Sequence, residues 1–165
     1  MDFWTKYSIF AQNYIIMEDK KEKIPTPWEL FNIECGKGWE SLYKPIFEYI
    51  ENYNKDKSYK DKIVITQVKE KWGGLRIYTN FHTDELFDMI CNAEEESYNV
   101  CEECGSKKDI GYTNGWIQTI CYDCIKKRVI EGQYVVGWTR KSDRKSYWIY
   151  PDKDELINIK DIEQC

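Results

Sequence analysis

Four cysteines set the tightest bound on what this chain can become. Cys101-Glu-Glu-Cys104-Gly and Cys121-Tyr-Asp-Cys124 are two C-x2-C pairs with sixteen residues between them, a spacing within the range of four-thiolate zinc sites. Two cysteines separated by two residues can bend both sulfurs toward one ion, and Gly105 lets the backbone turn tightly behind them. The second pair opens the stretch "CYDCIKKRVIEG", which predicts Cys121 and Cys124 at a helix N-terminus, where the helix dipole favours thiolate. The intervening "DIGYTNGWIQTI" sets Asn114-Gly115 between β-rich runs, as a hairpin does. Knuckle, hairpin and helix together predict a treble-clef or zinc-ribbon-like module. Four thiolates fill a tetrahedral shell, so the ion is expected to be one structural Zn2+ per chain, with iron the poorer fit to this architecture.

The rest of the chain must supply a conventional core. At 165 residues, 42% of them hydrophobic and 16% aromatic, it is long enough to bury one and too rich in packing residues to stay disordered. The net charge of −5 argues against a broad grip on duplex DNA. The imbalance is local: residues 1–100 carry 13 Lys/Arg against 18 Asp/Glu, whereas residues 101–165 carry 11 of each. The N-terminus has no basic leader followed by an apolar stretch, and no later run is apolar for a membrane span. A cytosolic protein without a membrane anchor is the expectation, and reduced thiols there favour metal over disulfide.

Periodicity divides the chain into an α/β core over 1–99, the cysteine module over 100–131, and a terminal hairpin and tail over 132–165, all in one compact unit. Phe3, Trp4, Tyr7, Phe10, Ala11, Tyr14 and Ile15 recur at helical spacing. "WELFNIECGKGW" reads as a short strand entering a Gly-x-Gly turn. Trp39, Leu42, Tyr43, Ile46, Phe47, Ile50 and Tyr53 form a second helical stripe, either kinked at Pro45 or starting near it. Thr83 is placed to cap a third helix with Leu86, Phe87, Ile90, Ala93 and Ser97 inward. "YVVGWTR" and "KSYWIY" predict a last hairpin turning through Lys141 to Arg144, its basic residues solvated. The fold class is α+β, a small antiparallel sheet packed by helices with the cysteine module embedded in it.

"IVITQVKEKWGGLRIYTNF" is two β-rich runs about Gly73-Gly74, a hairpin signal. Whether its loop is Gly73-Gly74 or Lys71 to Gly74, Val64, Val68, Leu75 and Ile77 share a core face, and Ile63, Ile65, Gln67, Lys69, Lys71, Arg76 and Tyr78 share the other. Arg76 then faces Lys71 in the tighter turn and Lys69 in the looser one. Like charges across a ladder repel by a few tenths to about 1 kcal/mol. An anionic ligand would relieve them, held by Lys69, Lys71 and Arg76 with Trp72 or Tyr78 to stack on it; a solvated face is the plainer alternative. Gly36, Gly38 and Trp39 in "CGKGW" offer backbone N–H groups at a helix start as a second anion candidate. Cys35 and His82 are the one nucleophile-and-base pairing available, and no further catalytic constellation accompanies them, so an enzyme is not expected.

Taken together, "CGKGW", "QVKEKWGGLRIY", "CEECG" and "CYDC" resemble a group of small phage- and prophage-encoded proteins with a Cys-Gly-x-Gly-Trp turn, a Gln-Val-Lys-Glu-Lys-aromatic-Gly-x-Leu-Arg hairpin and a trailing four-cysteine module. The match spans residues 28–126; Trp72 stands where Phe is commoner, and Ile77 where an aromatic is usual. The resemblance implies a viral accessory protein of the bacterial cytosol that blunts host defences, and it supplies no catalytic residue. The expected function is sequestration of an anionic ligand such as a nucleotide-derived immune signal. A zinc-module adaptor for a host protein or nucleic acid and a nucleotide-processing enzyme are the alternatives, and homo-oligomerisation stays open.

Overall fold

The structure is a computed structural model that describes residues 33–162; the expected helix over residues 3–15 lies outside them. Two sheets organise the chain. The first contains β1 (Ile33–Glu34), β2 (Ile65–Lys71) and β3 (Gly74–Thr79) in that order, with β1 parallel and β3 antiparallel to β2. Helix α1 (Glu40–Asn54) makes the crossover from β1 to β2, and α2 (Asp84–Ser97) follows β3. The second sheet, in order β5-β4-β6-β7-β8, contains β4 (Ile110–Thr113), β5 (Thr119–Cys121), β6 (Val136–Arg140), β7 (Ser146–Ile149) and β8 (Ile157–Asn158). Helix α3 (Tyr122–Gly132) leads from β5 to β6, and the one-turn α4 (Ile159–Ile162) follows β8. This is the α+β class expected from the sequence. The module and the last hairpin share one sheet through β4–β6 pairing, so no sheet boundary falls between residues 131 and 132.

Helix α1 follows a 3-10 turn at Lys37–Trp39 and buries Tyr43, Ile46, Phe47 and Ile50 at the three- and four-residue steps of its stripe. Pro45 lies inside the helix instead of opening it. These residues meet Val68, Leu75, Ile77, Leu86 and Ile90 in the first core. Thr83 caps α2, its hydroxyl accepting from the Leu86 N–H at 3.2 Å. Phe87 departs from the expected inner face: it is exposed and stacks on His82 with ring centroids 5.1 Å apart. Trp138, Ile120, Ile125, Val129 and Ile149 build a second core around the cysteine module.

The β2–β3 hairpin takes the looser register, with Lys69 opposite Arg76 and Lys71 opposite Gly74. Its two-residue turn is Trp72-Gly73, with φ of +58° and +75°, the doubly left-handed form that suits a right-twisted hairpin. Gly73 adopts that conformation freely, whereas a left-handed tryptophan costs roughly 1–2 kcal/mol. Gly74 answers a different need: a Cβ there would lie 2.5 Å from the Tyr98 ring.

One assignment of faces is overturned at the base of this hairpin. The register shifts between Ile65 and Gln67, and the extra residue of such a bulge exchanges the two faces behind it. Ile63 and Ile65 are therefore buried, each 1% exposed, while Val64 turns outward at 39%. Ahead of the bulge the expected alternation holds, with Val68, Leu75 and Ile77 buried and Tyr78 exposed.

Candidate metal centre and hairpin-tip cleft

The four cysteines converge. The Sγ atoms of Cys101, Cys104, Cys121 and Cys124 lie within 4.8 Å of one another, and those of Cys104 and Cys121 are 3.7 Å apart. A tetrahedral ion with bonds of about 2.3 Å to sulfur needs sulfur–sulfur edges of about 3.8 Å, so the donor set fits such an ion. The backbone explains the convergence. Gly105 turns the knuckle at φ +77°, its N–H donating to the Cys101 carbonyl at 2.9 Å while the Cys101 N–H donates to the Ser106 carbonyl at 2.8 Å. Cys121 is the N-cap of α3 and Cys124 lies in its first turn, as the sequence predicts.

Burial and the neighbouring sulfurs shift the thiols of the cluster in different directions. Burial is the leading cause that pushes the Cys121 thiol up to about 11, and burial followed by hydrogen bonds to Cys104 and Cys121 pushes Cys124 higher still. At Cys104 burial acts in the same direction, but hydrogen bonds from the Ser106 backbone and the other three cysteines outweigh it and hold that thiol below its usual range. Four thiolates this close repel one another unless a metal compensates them.

The "CGKGW" turn is fastened to this knuckle. The Gly36 N–H donates to Glu102 Oε1 at 2.9 Å and the Gly38 N–H to the Glu102 carbonyl at 2.8 Å. A Cβ on Gly36 would lie 2.3 Å from the Glu102 carbonyl oxygen, and one on Gly38 2.2 Å from that of Cys101. Trp39 is fully buried and donates its indole N–H to the Val100 carbonyl at 2.9 Å. Gly36, Gly38 and Trp39 thus dock the first core onto the cysteine module: the Gly36 N–H takes the protein's own Glu102 carboxylate, and the Gly38 N–H takes the backbone carbonyl of the same residue. The same carboxylate accepts from Gln118 Nε2 at 2.8 Å, and Gln118 accepts in turn from Arg128 Nη1 at 2.7 Å. That chain of bonds ties the turn to the β4–β5 loop and α3.

Arg76 is engaged by the protein as well. Its Nε lies 3.8 Å from Glu94 Oε2 and its Nη2 donates to the Tyr98 hydroxyl at 2.8 Å. Glu94 Oε1 also accepts the Ile77 N–H at 3.1 Å, and Ser97 Oγ accepts the Leu75 N–H at 2.9 Å. Side chains of α2 therefore cover the free edge of β3, as exposed edges require. Lys69 lies over the Tyr78 ring at 5.5 Å, and Lys71 is exposed. In the last hairpin Arg140 is paired with Asp109 and Asp143, and Lys141 bonds the Tyr98 carbonyl at the end of α2, so two of its four basic residues are tied to the fold.

Cys35 is poorly suited to nucleophilic work. Burial first, then the charges of Glu102 and Glu70, push its thiol up to about 12, while His82 stacks on Phe87. The fold favours the neutral thiol, so this contribution to stability is intact below pH 9.0 and is lost as pH rises toward about 12. Iodoacetamide at pH 8 is expected to leave Cys35 unlabelled in the native protein and to label it after denaturation. Rapid native labelling, read by peptide mass spectrometry, would contradict the partly buried, neutral state.

A surface not evident from the sequence forms where two hairpin tips meet. The Gly73 carbonyl accepts from Thr119 Oγ1 at 2.6 Å, and a Cβ on Gly73 would lie 2.9 Å from Ile117. The β2–β3 tip is thereby seated on the β4–β5 loop. Between them lies a cleft of about 290 Å3 lined by Glu70, Lys71, Trp72, Gly115, Trp116 and Ile117. Trp72 is 71% exposed and Trp116 83%. Trp116 and Ile117 were not singled out in the sequence. The signal available was a large aromatic placed within a turn, beside Asn114-Gly115 in one hairpin and Gly73-Gly74 in the other.

The fold and the cysteine cluster define an α+β protein with an embedded four-cysteine module whose sulfurs lie within metal-binding distance of one another. No protein-family model, curated protein or solved structure matches the chain.

Proposed function

We propose that this protein is a non-catalytic binder, stiffened by one structural zinc ion held by Cys101, Cys104, Cys121 and Cys124, that sequesters an anionic small ligand at the junction of its hairpin tips. The observation that carries the reading is the cleft itself, where two large exposed aromatics lie beside Lys71. Lys69 continues the same face of the hairpin about 7 Å back along the strand, and Tyr78, opposite Gln67, about 14 Å back. Arg76 contributes by holding β3 to α2, and the site shifts from the sheet face toward the tip. Resemblance to phage-encoded proteins supports a setting in the bacterial cytosol and a role in blunting host defences, where a nucleotide-derived signal has the required charge and an aromatic ring. The exposed Trp116 and Ile117 favour a second reading, an adaptor whose tip docks on a host protein.

Native mass spectrometry of protein purified from bacteria tests both. The expected result is a mass increment for zinc together with a retained small anion, released chemically unchanged on heat denaturation. An altered compound in the released fraction would mean catalysis. Retention of no small molecule, with one host protein at fixed stoichiometry, would replace sequestration with the adaptor.

A further inference from the structure

Two placements at the hairpin tips work against folding and converge on one cleft. A hairpin turn of the Trp72-Gly73 geometry is best served by Asn or Gly at its first position, yet the chain sets a tryptophan there at φ +58° and leaves its ring 71% exposed. On the other hairpin Trp116 follows a left-handed Gly115 and is 83% exposed, outside both cores. Strained or exposed aromatics persist where something other than stability selects them. The two loops come from separate sheets and are held together by the bond from Thr119 to the Gly73 carbonyl.

From this juxtaposition we infer that Trp72 and Trp116 are the jaws of a clamp for a nucleobase, with Lys71 at the rim for the phosphate of the same nucleotide. The inference rests on the anion-binding reading above and names its ligand class. Indole faces stack on any base, and such stacking is tolerant of base identity. The cleft volume of about 290 Å3 suits one small ligand. Glu70 also lines the cleft, but its carboxylate is turned into the hairpin, where Oε1 accepts the Gly73 N–H at 2.6 Å. A net charge of −5 favours a mononucleotide over a long polyanion, whose many phosphates would meet a chain of net negative charge.

Titration calorimetry of the full-length, metal-loaded protein with adenosine monophosphate and with ribose 5-phosphate, each to millimolar concentration, tests the clamp. The nucleotide is expected to bind about tenfold or more tightly than the baseless sugar phosphate, the difference being one stacked base. Trp116→Ala and Trp72→Gly are each expected to lower nucleotide affinity about tenfold. Trp72→Gly should at the same time leave the melting temperature unchanged or raise it, because glycine accepts the left-handed turn. Equal affinity for the two ligands, or wild-type affinity in both variants, overturns the clamp while leaving an anion site. Binding of neither compound overturns the clamp and the anion-binding reading together, and leaves the protein-partner alternative.

Discussion

Cys121→Ser is expected to abolish metal binding at the proposed zinc site and to unfold the segment from Cys101 to Cys124. Cys121 is buried, supplies one of four converging sulfurs and caps α3, so the substitution removes a ligand and leaves a weakly donating hydroxyl among three thiols. Structural zinc contributes on the order of 10 kcal/mol to the folding of small metal modules. Here the second core, with Trp138 and Ile120 fully buried, shares the task, so a loss of several kcal/mol is expected instead of global unfolding. Metal analysis should fall from one zinc per chain to background, and amide exchange should accelerate across β4, β5 and the start of α3. A strong chelator should reproduce both effects in the wild-type protein, and acid should too, because protonated thiols release the ion. Full metal content with an unchanged melting temperature in the variant would remove Cys121 from the ligand set, and wild-type protein purified without zinc would remove zinc from the account of this fold.

The second large effect is expected from a single methyl group. In Gly38→Ala the new Cβ would lie 2.2 Å from the Cys101 carbonyl oxygen, 2.5 Å from the Gly105 nitrogen and 2.6 Å from the Glu102 oxygen. All three are backbone atoms of the knuckle, so no rotamer change relieves the clash. Either the turn separates from the module, losing the Gly38-to-Glu102 hydrogen bond, or the knuckle and its cysteine cluster distort. A destabilisation of about 3 kcal/mol or more is expected, which lowers the melting temperature by roughly 6–12 °C at 2–4 °C per kcal/mol. Gly115→Ala is the matched control: its Cβ meets nothing within 4 Å and only the left-handed φ of +86° is strained, so the cost is about 1 kcal/mol. An anion cradle at Gly36 and Gly38 makes the opposite prediction, lost ligand with intact stability. Thermal melts of the two variants decide between them.

The Gly38 prediction draws on the tie between the two cores, and that tie was not legible in the sequence. "CGKGW" was readable as a turn, because glycine spacing is a local signal. Its partner Glu102 lies far along the chain, and nothing local points to it. The same holds for Arg76. The facing of Lys69 and Arg76 follows from the hairpin register, but the Glu94 and Tyr98 groups that relieve it come from α2 and its end. The bulge between Ile65 and Gln67 escaped for a related reason: an alternating pattern of Ile, Val and Ile is equally consistent with either face.

The residues alone determined those features that depend on groups a few positions apart. The C-x2-C spacing brings sulfurs to one ion, Thr83 reaches the Leu86 N–H, and glycines at 73 and 105 supply left-handed backbone, because in each case the interacting atoms are within one turn of chain. Tertiary structure decided which charges are free and which surfaces meet. Only packing brings the carboxylate of Glu102 to Gly36, that of Glu94 to Arg76, and Trp72 beside Trp116, since contacts between distant segments are selected by the total burial of both cores and not by any local preference.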